Sequence, residues 1–220
     1  MEESDKLVIS YWKIRGLIRH ILLVAEYARA PYEVKYYEAG DDNSGKEWFD
    51  IKHSLGLHFP NLPNLQHGDF NLSETLVIIH YICDKFKPDL LGDTPEERAT
   101  VMMLAHIAHD AKTSATGLCY SQDDKEKVLE CAYSKLANIS KLLGEKKFLL
   151  GDKVCYVDLY LSEFLSLVEA VDGGDGLSTK YPNLAKLKYT VETLPEIADF
   201  LSSDRCHKLK FNWDLAKINP

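Results

Sequence analysis

The chain is 220 residues long, 45% apolar and 27% charged, the proportions of an ordinary globular protein with one large core or two small ones. Its 26 Lys+Arg against 34 Asp+Glu leave a net charge of −8, which disfavours nucleic acid or an anionic membrane as the main partner. No apolar run approaches the roughly 20 residues that a bilayer span needs. The N-terminus, Met1 to Asp5, is acidic where a secretory signal would be basic and then apolar, so a cytoplasmic location is expected.

Leu7 to Trp12 reads as a strand. Leu17, Ile18, Ile21, Leu22, Ala25 and Ala28 then recur at helical spacing until Pro31 stops the helix. Tyr32 to Tyr37 alternates as a second strand. Gly40 to Glu47 is a polar, glycine-bearing loop, and a short irregular or helical piece follows from Trp48. FPNLPNLQHGDFNL supplies two short strands hinged at His67-Gly68-Asp69, with Ser73 as the expected N-cap of a helix over 75–86. Strands joined through helices pair in parallel, and the hairpin adds an antiparallel edge.

Pro88 to Asp93 breaks the pattern and is expected to be a linker. Thr94-Pro95-Glu96-Glu97 announces a new helix, with Thr at the N-cap, Pro at the first helical position and Glu three residues after the cap. Only helices follow, over about 95–119, 124–143, 156–171, 183–193 and 196–202, with Gly144 as a C-cap and Gly173 to Gly176 as a flexible loop. The tail from His207 has no clear periodicity. The expected domains are therefore 1–87, α/β, and 94–220, all-helical, joined by 88–93.

Five cysteines (Cys83, Cys119, Cys131, Cys155, Cys206) are scattered, odd in number and contain no C-x-x-C, which reads as reduced thiols packed as small hydrophobes. His106 and His109 share a helix face but have no second ligand pair, so no metal site is expected.

The stretches YWKIRGL (Tyr11 to Leu17), LGLHFPNLPNL (Leu55 to Leu65), SET (Ser73 to Thr75) and LCY (Leu118 to Tyr120) together resemble a cytosolic glutathione S-transferase of the mu class. GDKVCYVDLYL and YPNLAKL extend the resemblance to nearly the whole chain. It implies a thioredoxin-like first domain that binds glutathione, a helical second domain and a homodimer. Glutathione is then a co-substrate, and no cofactor is required. Small hydrophobic electrophiles are the second substrate, taken in an apolar cleft between the domains by Trp12, Leu17, Tyr120 and tail residues.

The same resemblance makes Tyr11 catalytic. A thiol of pKa near 8.5 is only about 3% thiolate at pH 7, and the thiolate is the nucleophile. Lowering that pKa by roughly 2 units takes about 2.7 kcal/mol, and a hydrogen bond to a charged group supplies about 1.5–3 kcal/mol. If the thiol arrives on glutathione, the strand-to-helix turn needs a donor such as a phenol and no cysteine of its own. Read alone, Tyr11 is equally an aromatic at a strand end.

By resemblance, Leu62–Pro63 is a cis bond that leaves the Leu62 backbone free to pair with the cysteinyl part of glutathione. Thr75 binds the γ-glutamyl carboxylate at a helix start, and Glu74 binds the ammonium. Trp12, Leu17, Lys46, Trp48, Lys52 and Asn61 match the remaining glutathione contacts, Asp110 reaches the partner subunit's glutathione, and Tyr120 faces the electrophile. Bland readings stand beside these: a half-buried aromatic at Trp48, a solvated cation at Lys52, a first-turn acid at Glu74, a surface acid at Asp110 and a buried structural tyrosine at Tyr120. The chain departs from the class at Glu74, where Gln is usual, at Cys155, where a Ser or Thr cap is usual, and in a shorter loop before Trp48. A glutathione-dependent isomerase, or a ligand-binding protein without activity, would use the same scaffold.

Overall fold

A computed structural model describes residues 6–206 and 208–220; the acidic stretch Met1 to Asp5 and His207 lie outside the described residues. The chain divides into two compact units, with the division between Lys87 and Pro88.

The first unit runs β1 (Leu7–Trp12), α1 (Ile18–Tyr27), β2 (Tyr32–Tyr37), α2 (Lys46–Phe49), β3 (Asn64–His67), β4 (Phe70–Ser73) and α3 (Thr75–Phe86). Its sheet has the order β2-β1-β3-β4. β1 and β2 are parallel, as the helical crossover through α1 requires, and β3 and β4 are antiparallel. Leu7 and Ile9 on β1 and Leu65 on β3 are fully buried, as are Ile21, Ile78 and Ile82 on the helices. That apolar contact fixes the sheet against α1 and α3, which also pack on each other.

Two local expectations shift. The helical piece begins at Lys46, two residues before Trp48, so Lys46 belongs to the first turn of α2. Ser73 does not cap α3, because it is the last residue of β4; Glu74 occupies the N-cap position and offers no side-chain cap bond. Strand and helix join with no loop between them, and the whole change of direction falls on Glu74.

The second unit is all-helical: α4 (Pro95–Ser121), α5 (Lys125–Leu143), α6 (Tyr156–Asp172), α7 (Gly176–Lys180), α8 (Pro182–Glu192) and α9 (Pro195–Ser202). Thr94 caps α4 by accepting from the Glu97 amide at 3.2 Å. α6 is the central helix, packed against α4, α5, α7 and α8, and it is buried on all sides from Tyr156 to Leu165. Residues 88–93 are not a free tether: Pro88–Leu91 form a 3-10 turn with Leu90 and Leu91 buried. Gly173 to Gly176 is also an ordered turn. Gly173 ends α6, and the Asp172 carboxylate accepts from the Gly174 and Gly176 amides at 3.2 and 2.9 Å, which starts α7, a helix absent from the periodicity reading.

Asp158 accepts from the Leu149 amide at 2.9 Å and from the Cys155 amide at 2.8 Å. The carboxylate therefore ties the start of α6 to the preceding loop, which compensates for a thiol at the N-cap. Burial pushes its pKa up to about 6, against the lowering effect of those two amides.

Candidate active site

Sheet register brings a few of the expected site residues to one end of the first unit. Ser10 on β1 pairs with Asn64 on β3, and Asn64 pairs with Ser73 on β4. One residue beyond that row come Tyr11, still in β1, Pro63, just before β3, and Glu74, just after β4. Residues distant in sequence are thus neighbours for a topological reason, the antiparallel order β1-β3-β4.

Tyr11 is 7% exposed, and Trp12 is half-buried. Trp12 lies against Phe49 of α2, ring centroids 6.0 Å apart. Lys52 stands over the other partner of that pair, 5.3 Å from the Phe49 ring centroid, so it is neither buried nor an unattached cation. Trp48 is 3% exposed and tilts against Tyr37 at 5.3 Å, which anchors α2 to the end of β2. Lys46 is exposed at the start of α2, and Leu17 is half-buried at the start of α1. Gly45 precedes Lys46 in the left-handed region at φ +62°, where a Cβ would lie 2.9 Å from both Trp12 and Phe49. A side chain there would separate α2 from the end of β1.

The Leu62–Pro63 peptide bond is cis. The Leu62 N–H is not free, however: it donates to Asn61 Oδ1 at 2.9 Å. Asn61 is thereby occupied on both ends, because its Nδ2 reaches Glu74 Oε1 at 3.4 Å. The expectation of an open Leu62 amide is corrected, since the neighbouring amide side chain satisfies it locally. Glu74 itself is exposed and has φ 77° and ψ 120°, a conformation that is rare for a residue with a Cβ and costs about 1–3 kcal/mol. Thr75 follows as the first residue of α3 and is 4% exposed.

Residues 7–84 match the glutathione S-transferase N-terminal domain, and residues 109–204 match the glutathione S-transferase C-terminal domain. Rat "Glutathione S-transferase Mu 5" is 32% identical over 222 residues, covering 99% of this chain and 97% of its own length. The chain belongs to the glutathione S-transferase family. Within that family it is mu-class-like. Human "Glutathione S-transferase Mu 3" is also 32% identical over 99% of this chain and 97% of its own. The "class-mu 26 kDa isozyme" of Schistosoma japonicum is 34% identical over 90% of this chain and 89% of its own. The glutathione S-transferase Blo t 8 superposes with a TM-score of 0.82 at 21% identity over 96% of this chain and 99% of that one, which shows the shared fold.

This glutathione S-transferase treats its two expected second-unit residues differently from the simple picture. The Tyr120 hydroxyl accepts from the Trp213 backbone N–H at 2.8 Å, so the phenol is held by the C-terminal tail. Burial pushes its pKa up, with the Trp213 bond acting in the other direction. Asp110 is exposed, and its carboxylate is ion-paired with Lys135 of α5, a bond that holds it below the usual carboxylate range. His109 bonds the buried Tyr160 hydroxyl at 2.8 Å, and no group of three metal-binding side chains exists among the described residues.

Several contributors were silent in the sequence: Phe49 beside Trp12, Tyr37 beneath Trp48, Trp213 on Tyr120 and Lys135 on Asp110.

Proposed function

We propose that this protein conjugates the glutathione thiolate to small hydrophobic electrophiles, with Tyr11 as the catalytic residue. The observation that carries the reading is the row Ser10–Asn64–Ser73, which leaves Tyr11, Pro63 and Glu74 each one residue beyond it at the same end of the sheet. The Tyr11 O–H donates to the bound sulfur and stabilises it as the thiolate. The thiol proton leaves to solvent, and the sulfur forms a C–S bond as the electrophile's leaving group departs or its double bond takes up the electrons. That one hydrogen bond supplies about 1.5–3 kcal/mol of the roughly 2.7 kcal/mol that a 2-unit pKa drop requires. α1 adds about 0.3–1 kcal/mol through its N-terminal dipole, which carries neither a side-chain cap nor an acid in its first turn.

Glutathione lies along Leu62–Pro63 as an added strand. Leu62 offers its carbonyl, and its N–H becomes available when the Asn61 side chain turns away. Thr75 takes the γ-glutamyl carboxylate at the start of α3, and Glu74 takes the ammonium, where a carboxylate binds more strongly than the usual amide. Trp48, Lys52 and Lys46 serve the glycine end. Trp12 and Leu17 complete the glutathione contacts, and Tyr120 serves the apolar electrophile. No cofactor takes part.

The working form is a homodimer in which Asp110 serves the partner's glutathione. Phe59, 77% exposed in the first unit, and Met102, Met103 and Ile107, exposed along α4 in the second, supply apolar surface for a second copy. The cytoplasm, a reducing compartment, suits five free thiols.

Turnover of a chloro-nitro-aromatic with glutathione tests the reading directly. Release of chloride with formation of the thioether is expected. A protein that is retained on immobilised glutathione yet makes no thioether is a binding protein, and the catalytic assignment then falls.

A further inference from the structure

We infer that Gly16 is a positioning residue for Tyr11: the absence of a side chain at 16 sets where the phenol oxygen stands. Gly16 lies in the turn between β1 and α1 at φ +37°. A Cβ built there would lie 2.5 Å from Tyr11 Cε1, 2.8 Å from its hydroxyl oxygen and 3.1 Å from Cζ. All three atoms are at the hydroxyl end of one ring; the first two are nearer than a real Cβ is found, and the third is tighter than nearly all real contacts. The glycine backbone is therefore a wall against which the working end of the tyrosine rests.

Tyr11 cannot yield cheaply, because the residue is buried, only 7% exposed. Restoring ordinary van der Waals separation moves the phenol by about 1 Å, a displacement large enough to cost on the order of a hundredfold when it falls on a catalytic contact. Gly68 supplies the contrast. It too has a positive φ, +58°, but a Cβ there meets nothing within 4 Å. The two glycines thus separate backbone strain from displacement of a neighbour: an alanine at 68 brings the first alone, and an alanine at 16 brings both.

The inference rests on Tyr11 being the thiolate's partner, so the experiment carries an arm for each. The probe is glutathione itself, whose bound thiol is titrated by ultraviolet difference absorbance in wild type, Tyr11→Phe, Gly16→Ala and Gly68→Ala. Tyr11→Phe should raise the bound-thiol pKa; if it does not, the role of Tyr11 falls and that of Gly16 with it. Given that rise, Gly16→Ala should also raise the pKa, by about 1 unit, and lower kcat at pH 7 about tenfold or more, with glutathione affinity within about threefold of wild type. Gly68→Ala should lower the Tm without moving the pKa. Adding Gly16→Ala to Tyr11→Phe should give no further rise, because both act through one hydroxyl. A Gly16→Ala protein whose pKa stays at the wild-type value overturns the inference and leaves Tyr11 standing. Should Gly16→Ala fail to fold, the same change is made in Tyr11→Ala, which removes the ring. Recovery of the folded protein then supports the contact, and failure in both backgrounds overturns it.

Discussion

The Trp213 backbone N–H donates to the Tyr120 hydroxyl at 2.8 Å across 93 residues of sequence. The tail is closed on itself around that bond. Asn212 Nδ2 donates to the Ile218 carbonyl at 3.1 Å, and Asn219 Nδ2 donates back to the Asn212 carbonyl at 2.9 Å. Ile218 N and Lys217 Nζ then bond the carbonyls of Cys119 and Ser121 at the end of α4, each at 3.0 Å. Tyr120→Phe leaves a part-buried amide without its acceptor, so the protein should lose about 1–3 kcal/mol in urea unfolding. Amide exchange at Trp213 should quicken. Unchanged exchange there would mean that the remaining tail bonds hold the segment without Tyr120.

Tyr11→Phe should keep the fold and most of the glutathione affinity, yet lose about 10²-fold or more in turnover at pH 7, the equivalent of about 2.7 kcal/mol. Steady-state kinetics separates the two parameters. A variant with wild-type kcat would remove Tyr11 from the chemistry.

None of the five cysteines should be catalytic. Cys83, Cys119 and Cys155 are buried, and burial is the main cause that pushes the Cys119 and Cys155 thiols up, away from the thiolate form. A maleimide should therefore label Cys131 and Cys206 first in the native protein, and each Cys→Ala variant should keep activity within several-fold. One replacement that abolishes turnover in a folded protein would point to a cysteine mechanism instead.

Asp158 should make stability fall with rising pH. Its folded pKa is pushed up from 3.8 to about 6, so between those values the folded state holds a proton that the unfolded state has lost. The stabilisation is complete below the unfolded value and disappears as pH rises through the folded one. The advantage of wild type over Asp158→Asn should shrink by about 2 kcal/mol between pH 4.5 and 7. A constant difference across that range would mean that the two amides outweigh burial and keep the carboxylate ionised.

Glu74→Ala and Asp110→Ala should each raise the glutathione KM roughly ten- to a hundredfold, through loss of about 1.5–3 kcal/mol apiece. In a purified heterodimer of the two variants, one site keeps Glu74 from its own chain and borrows Asp110 from its partner. Calorimetry should find that site near wild-type affinity. If every site stays weakened, Asp110 serves its own chain, where Lys135 already holds it.

Local signals determined much of this protein. The alternation of Tyr32 to Tyr37, the 3.6-residue period after Leu17, the Thr94-Pro95 start and the Gly144 stop each act within a few residues of themselves. β2, α1, α4 and the end of α5 formed where those signals lie. α7 was invisible because its start depends on Asp172 turning back to cap two glycine amides, in a stretch whose composition reads as loop. The site divides in the same way. Residue types at Tyr11, Leu62–Pro63 and Thr75 were legible through resemblance, since a motif records which atoms a chain carries. Which partner each atom takes was decided only by closure of the sheet and the bundle. Asn61 on the Leu62 amide, Lys135 on Asp110, Trp213 on Tyr120 and the positive φ of Glu74 are all choices among partners or backbone conformations that the sequence alone leaves open. Hydrogen bonds of similar strength compete for each polar group, and only the packed chain fixes which donor and acceptor stand within about 3 Å.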